Sequence, residues 1–379
     1  MSVTRKAAVA LRVMAAVTSI AVVAAEASAV VTATKRSSQP VSSLCPGQPG
    51  RGPETAPRTG KTLIQATRSF ARESRARSWW EVLFTLALLA LSVLGTLAPW
   101  AWPARLICSV IAGLLMVRAF VIFHDHQHHA ILDNSFLADL LMRFVGILAL
   151  TPSSIWKSSH NYHHHHNSRL LSARIGSYPV MTREHYARAS FRTRLEYRFM
   201  RHPLNMLCGY VTVFFLGMSL LPFIESPKKH LDGLLAIVLH AAFAATFFIF
   251  GGFWALFFAL LLPYALATAL GSYLFYVQHN FPDVTFRDSA GWTYEGAALD
   301  SSSFLRLPRL MHWFTGNIGY HHIHHLNAKI PFYRLPEAMR ALPELQHPKS
   351  SSLSPRDIWT CLRLCVWDVE AQRMIPLPR

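Results

Sequence analysis

The 379 residues include 52% hydrophobic and only 15% charged side chains, with 37 Lys+Arg against 20 Asp+Glu and a formal charge of +17. A soluble domain carries roughly 25% charged residues and a disordered chain is poor in apolar ones, so both classes give way to a membrane-embedded domain with tails. The basic residues flank long apolar runs rather than forming an aromatic-interleaved stripe, which excludes nucleic acid as a partner, and the five cysteines contain no CxxC pair, which excludes a disulfide scaffold or thiolate zinc site.

In chain order, residues 1 to 80 hold twelve Lys/Arg and three Asp/Glu, which fits a cytoplasmic N-terminal side. Within them Val13 to Ala25, after Arg5, Lys6 and Arg12 and before Ala27-Ser28-Ala29, has the shape of a secretory signal. An operating signal would reverse the topology; the reading adopted is a loose amphipathic segment or an upstream start. Ser37 to Gly60 reads as disordered linker. Four runs, Val82 to Trp100, Leu106 to Phe123, Asp232 to Phe250 and Phe253 to Phe275, are long enough at 1.5 Å per residue to cross a hydrocarbon core of about 30 Å. The links Ala101 to Arg105 and Gly251 to Gly252 are hairpin turns, so each pair returns to its starting side. Phe136 to Leu150, interrupted by Asp139 and Arg143, reads as an interfacial amphipathic helix. Leu204 to Ile224 reads as in-plane or re-entrant, because a crossing there would place Lys228 and Lys229 opposite the basic stretch Lys157 to Arg201. The expected fold is an all-α integral membrane protein with four transmembrane helices as two hairpins, interfacial helices and a cytoplasmic histidine-rich cap. It divides into a basic, largely disordered extension (1–75), a membrane domain (76–340) and a short cytoplasmic C-terminal tail (341–379).

Thirteen of the 20 histidines fall in three tracts: His124-Asp-His126-Gln-His128-His129, His160-Asn-Tyr-His163-His164-His165-His166, and His321-His322-Ile-His324-His325. The hairpins bring all three to one membrane face. Residues three and four apart share a helix face, so His124 with His128, His160 with His163 and His164, and His321 with His324 and His325 each present their imidazoles together. These eight exceed the four ligands of a tetrahedral zinc site and suit two metal ions. His126, His165, His166 and His322 fit that register less well and read as supporting or spare. His279, directly after the fourth run, stands at the same face, as ligand or as helix cap. His240, inside a run, packs within the bundle or serves a function there. His185, His202, His230, His312 and His347 read as surface or headgroup residues, and Cys361 with Cys365 as a reduced structural pair.

His124-Asp125-x-x-His128-His129, His160-x-x-His163-His164 and His321-x-x-His324-His325, following paired hydrophobic runs, resemble the three histidine boxes of the integral-membrane fatty acid desaturases. The resemblance covers roughly residues 75 to 340. Tyr276-Val-Gln-His279, Asn317-Ile-Gly-Tyr320 and Ile330-Pro-Phe-Tyr333-Arg-Leu335 resemble the corresponding segments of bacterial acyl-lipid desaturases. It implies two iron ions held by His124, His128, His160, His163, His164, His279, His321, His324 and His325, with His129 matching the double histidine of the first box and leaving that register open. It further implies O2-dependent insertion of a cis double bond into a fatty acyl chain, acyl-lipid favoured over acyl-CoA, in a bacterial inner membrane with the boxes cytoplasmic. The chain has no dinucleotide fingerprint and no haem or iron–sulfur motif, so an external donor such as ferredoxin or a cytochrome is required. The alternatives are an acyl or carotenoid hydroxylase of the same superfamily and, from another class, a His-rich metal transporter. A transporter would set its ligands near mid-membrane, whereas these tracts lie beyond helix ends.

Overall fold

A computed structural model of the chain describes residues 57–170 and 177–378. The signal-like stretch Val13 to Ala25 and most of Ser37 to Gly60 lie outside the described residues. A short helix α1 (Gly60–Ala66) leads to α2 (Arg75–Leu97) and α3 (Trp102–Gln127), which are both long and apolar enough to cross a membrane. They pack side by side: Gly95 leaves room for Cys108 where a Cβ would lie 2.7 Å from its Sγ, and Arg105 Nε donates to the Thr96 carbonyl at 2.7 Å near the turn. Along α2 the exposed Trp80, Leu83, Leu91 and Leu94 recur at helical spacing, the pattern of a lipid-facing side. Helix α3 is buried almost continuously from Val117 to Gln127 and forms the axis of the molecule.

Helices α4 (Phe136–Leu148) and α5 (Ser153–His166) meet at 91°, with α4 carrying exposed Phe136, Leu137 and Leu140 opposite buried Ala138 and Met142. The segment expected in-plane contains Tyr210–Leu220, wound as a π-helix, and its apolar helical stretch Tyr210–Glu225 is shorter than the helices long enough to cross a membrane. The third candidate span, Leu231–Val277, is 47 residues long. A straight helix of that length measures about 70 Å, more than twice the hydrocarbon thickness. It is broken at Gly252 (φ 71°, ψ −173°), a conformation open to glycine and costly for other residues. The ring of His240 lies 4.7 Å from that of Tyr264. Twenty-four residues of straight helix would separate them by about 36 Å, so the run reverses direction at the break. Its two arms are α7 (Leu231–Leu256) and, after a π-helical turn Phe257–Leu261, α8 (Leu262–Val277).

Segments before α7 and after α8 together build a cap that departs from the all-α expectation. Short strands β1 (Met181–Thr182), β2 (Phe304–Arg306), β3 (Ser350–Ser352), β4 (Val366–Asp368) and β5 (Arg373–Ile375) form two small sheets: β1 runs parallel to β4, which pairs antiparallel with β5, and β2 runs parallel to β3. Residues read from the sequence as a C-terminal tail are built into this cap. Helix α10 (Pro355–Arg363) and β4 bring Cys361 and Trp367 into a core with Val277, Phe281, Phe286 and Leu305. At the other edge, Leu63 of α1 enters the main core with Ile131, Leu132, Ile323, Phe332 and Leu335. Helices α6 (Phe191–Arg201) and α9 (His321–Leu326) complete the set that positions the histidines.

Candidate metal centre

The three tracts meet where α3, α5 and α9 converge. His124 lies in the last turn of α3 and His128 is its C-cap; α5 carries His160, His163 and His164; α9 carries His321, His324 and His325; His279 follows α8 by two residues. Their ligand-capable atoms form two groups, His124, His128, His160, His164 and His324 in one and His163, His279, His321 and His325 in the other, each within 4.8 Å. The second and third tracts divide between the groups. Neighbours on a helix diverge by about 100°, so His163 and His164 face different groups, as do His324 and His325.

Within the groups the Nε2 atoms point at each other. His164 Nε2 lies 3.1 Å from that of His160 and 3.2 Å from that of His324. His279 Nε2 lies 3.1 Å from that of His163 and 2.8 Å from that of His321, which is 3.1 Å from that of His325. An imidazole nitrogen carries either one proton or one lone pair. Hydrogen bonding therefore accounts for at most one of the two contacts at His164 and two of the three in the second group. A cation shared by the lone pairs accounts for all of them. Ligands about 2.1 Å from a metal stand about 3.0 Å apart at right angles and about 3.4 Å apart in a tetrahedron. The observed spacings suit the right-angled arrangement, and five histidines in the first group exceed what tetrahedral zinc takes. The donor set thus fits an ion that accepts several imidazoles at right angles, and iron is one.

Ligation needs neutral imidazoles with the correct nitrogen free. Burial holds His321, His324 and His325 well below the usual histidine range and brings His279 down to about 4, partly opposed by the Ser301 carbonyl. His279 Nδ1 donates to that carbonyl at 3.2 Å, which leaves its Nε2 lone pair turned to the second group. Asp125 does the same for His124: Oδ1 accepts from Nδ1 at 3.0 Å, while Oδ2 accepts from the Phe332 amide at 2.7 Å. Trp156, a residue that spacing arguments overlook, stacks on His160 with centroids 4.3 Å apart and covers His124 at 5.5 Å. Its only sequence signal is its place one turn before His160. Phe275 lies against His163 at 5.1 Å and His279 at 5.7 Å, an apolar wall on the side of α8.

The remaining histidines stand apart from both groups. His129 takes a left-handed backbone (φ 58°) past the end of α3, and its Nδ1 bonds Asp133 Oδ1 at 2.7 Å. His126 contacts Asp139, His165 and His166 bond carbonyls within α5, and His322 is buried beside the Leu345 carbonyl. His240 bonds the hydroxyl of Tyr210 inside the bundle. His185, His202 and His347 are exposed, while His230 meets the Ser154 hydroxyl at 2.8 Å and His312 stacks on Phe304. Cys361 is buried and Cys365 half-buried, both as free thiols.

The fatty acid desaturase family model matches residues 100–354. A fatty acid desaturase of Bacillus subtilis is 33% identical over 322 residues, covering 84% of this chain and 86% of its own length. An sn-1 oleoyl-lipid 12-desaturase of Synechocystis is 26% identical over 271 residues, covering 71% and 76%. The chloroplastic omega-6 fatty acid desaturase of Spinacia oleracea is 25% identical over 303 residues, covering 75% and 64%. With its converging histidines and apolar helices, the chain belongs to the fatty acid desaturase family.

Proposed function

We propose that the protein is an O2-dependent acyl-lipid desaturase that removes two hydrogens from adjacent methylenes of a fatty acyl chain and leaves a cis double bond, the nine histidines of the two groups being placed so that they would hold two iron ions. The carrying observation is the convergence of nine imidazoles into two neighbouring groups in a member of this family. Iron bound there supplies the dioxygen redox chemistry that zinc lacks. The balance is one acyl CH2–CH2, O2, two electrons and two protons giving CH=CH and two waters. Asp125 and the Ser301 carbonyl keep His124 and His279 in the ligating tautomer. Trp156 shields the first group from water, and Phe275 offers the acyl methylenes an apolar surface beside the second. The lipid-linked substrate is supported by the Synechocystis relative, an sn-1 oleoyl-lipid 12-desaturase.

The same reading has four crossings in two hairpins, α2 with α3 and α7 with α8, both ends and the histidine cap being cytoplasmic in a bacterial inner membrane. Reversal at Gly252 supports it. A ferredoxin or cytochrome donates the electrons, drawn to the basic cytoplasmic surface. The test is expression with a matched donor in a host lacking polyunsaturated lipids, followed by mass spectrometry of each lipid class with double-bond location and by metal analysis. A new double bond on glycerolipid acyl chains and about two irons per chain are expected. A hydroxy-acid product, or zinc alone with activity retained, would overturn the reading.

A further inference from the structure

The C-terminal helix α10 carries a feature that the metal centre does not use. Ser354 caps it, its hydroxyl accepting from the Asp357 amide at 3.2 Å, and Cys361 faces the core. The opposite face shows Arg356, Trp359 and Arg363, three and four positions apart and all exposed, with Trp359 at 65%. The Arg363 guanidinium lies 5.7 Å from the Trp359 ring. An indole so open to the outside, bracketed by two cations a turn away on either side, is the side-chain pattern of a headgroup layer.

The depth of this face can be read along α8. Tyr276, in its last turn, donates to the Leu364 carbonyl at 3.1 Å, and Asn280, three residues beyond the helix, donates to the Cys361 carbonyl at 2.8 Å. The end of α10 is therefore level with the end of α8. One turn further in, about 6 Å, Gly209 packs against Ser272. Beside Gly209, Leu204, Leu207 and Val211 are exposed, as side chains at hydrocarbon depth are. Trp359 and its arginines thus sit between lipid-facing leucines and the polar cap.

We propose that α10 is an in-plane foot that seats the cap on the cytoplasmic leaflet, Trp359 entering the headgroup layer and Arg356 and Arg363 binding the phosphates of anionic phospholipids. This rests on the reading of α8 as a crossing helix. Arg201 joins the foot to the centre: its guanidinium donates to the Leu364 carbonyl at 3.0 Å and to Asn280 Oδ1, and Asn280 follows His279.

The test uses the full chain in nanodiscs of phosphatidylcholine with about one third phosphatidylglycerol. The photo-crosslinker p-benzoylphenylalanine is placed at Trp359, at the exposed Leu94 of α2, or at Ala290 in an exposed turn of the cap, and adducts are identified by mass spectrometry. Lipid adducts are expected at positions 94 and 359 and not at 290. Those at 359 should be enriched in phosphatidylglycerol, an enrichment that falls several-fold in Arg356→Gln/Arg363→Gln. Adducts at 94 without any at 359, or protein adducts at 359, would overturn the foot while leaving the crossings standing. Lipid adducts at 359 without that enrichment would overturn the anionic selection. Absence at both positions would sink the topology as well.

Discussion

His128 and His129 are adjacent, yet only His128 joins a group, because α3 ends at Gln127 and the left-handed turn at His129 carries its ring out to Asp133. His279→Ala should abolish desaturation and lower iron per chain, whereas His129→Ala should retain both, as read by product analysis and metal content. Asp125 accepts two hydrogen bonds from N–H donors, one at each oxygen. Asp125→Asn turns one acceptor into a donor facing a donor, and should weaken iron retention about 10- to 100-fold, as supporting residues of metal ligands typically do; chelator competition measures it. For His279 the folded value of about 4 lies below the ordinary value of 6.5. Between them the unfolded chain binds the proton that the folded one refuses, so stability is full above about 6.5 and falls as pH drops toward 4. Acidification from pH 7 to 5 should therefore lower the melting temperature of the metal-free protein. The i, i+3, i+4 spacing made most of the groups legible, because helical geometry is local. The register of the first box was not, since it depends on where α3 stops.

The apolar runs were readable from length alone, and the reversal at Gly252 matches the glycine pair expected as a turn. Nothing lies within 4 Å of where its Cβ would be, so Gly252→Ala should act through the backbone alone and cost about 1–3 kcal/mol, measured by thermal melting in detergent. The strands escaped sequence reading for a physical reason. Two- and three-residue segments show no alternation, and β1 finds β4 across 185 residues, Met181 opposite Val366. The wholly buried Trp367 of β4, 5.3 Å from Phe286, anchors this sheet. Trp367→Ala should cost about 3–5 kcal/mol, enough to unseat the C-terminal segment, and limited proteolysis would reveal it.

At the scale of the molecule, membrane class followed from composition, and the three tracts, expected on one face, do converge. The cap did not follow in this way, because Trp367, near one end of the described chain, packs there against Val277, Phe281 and Leu305, which lie 60 or more residues earlier. The division of the second and third tracts between two groups has a thermodynamic consequence. An ion seated among His160, His164 and His324 fixes the helices that also present His163, His321 and His325. Much of the ordering entropy of the second site is then already spent, so loading should be cooperative. Native mass spectrometry during iron titration should show chains carrying none or two, with the singly loaded species scarce. Maturation of the enzyme would behave as a threshold in iron supply rather than a gradual response.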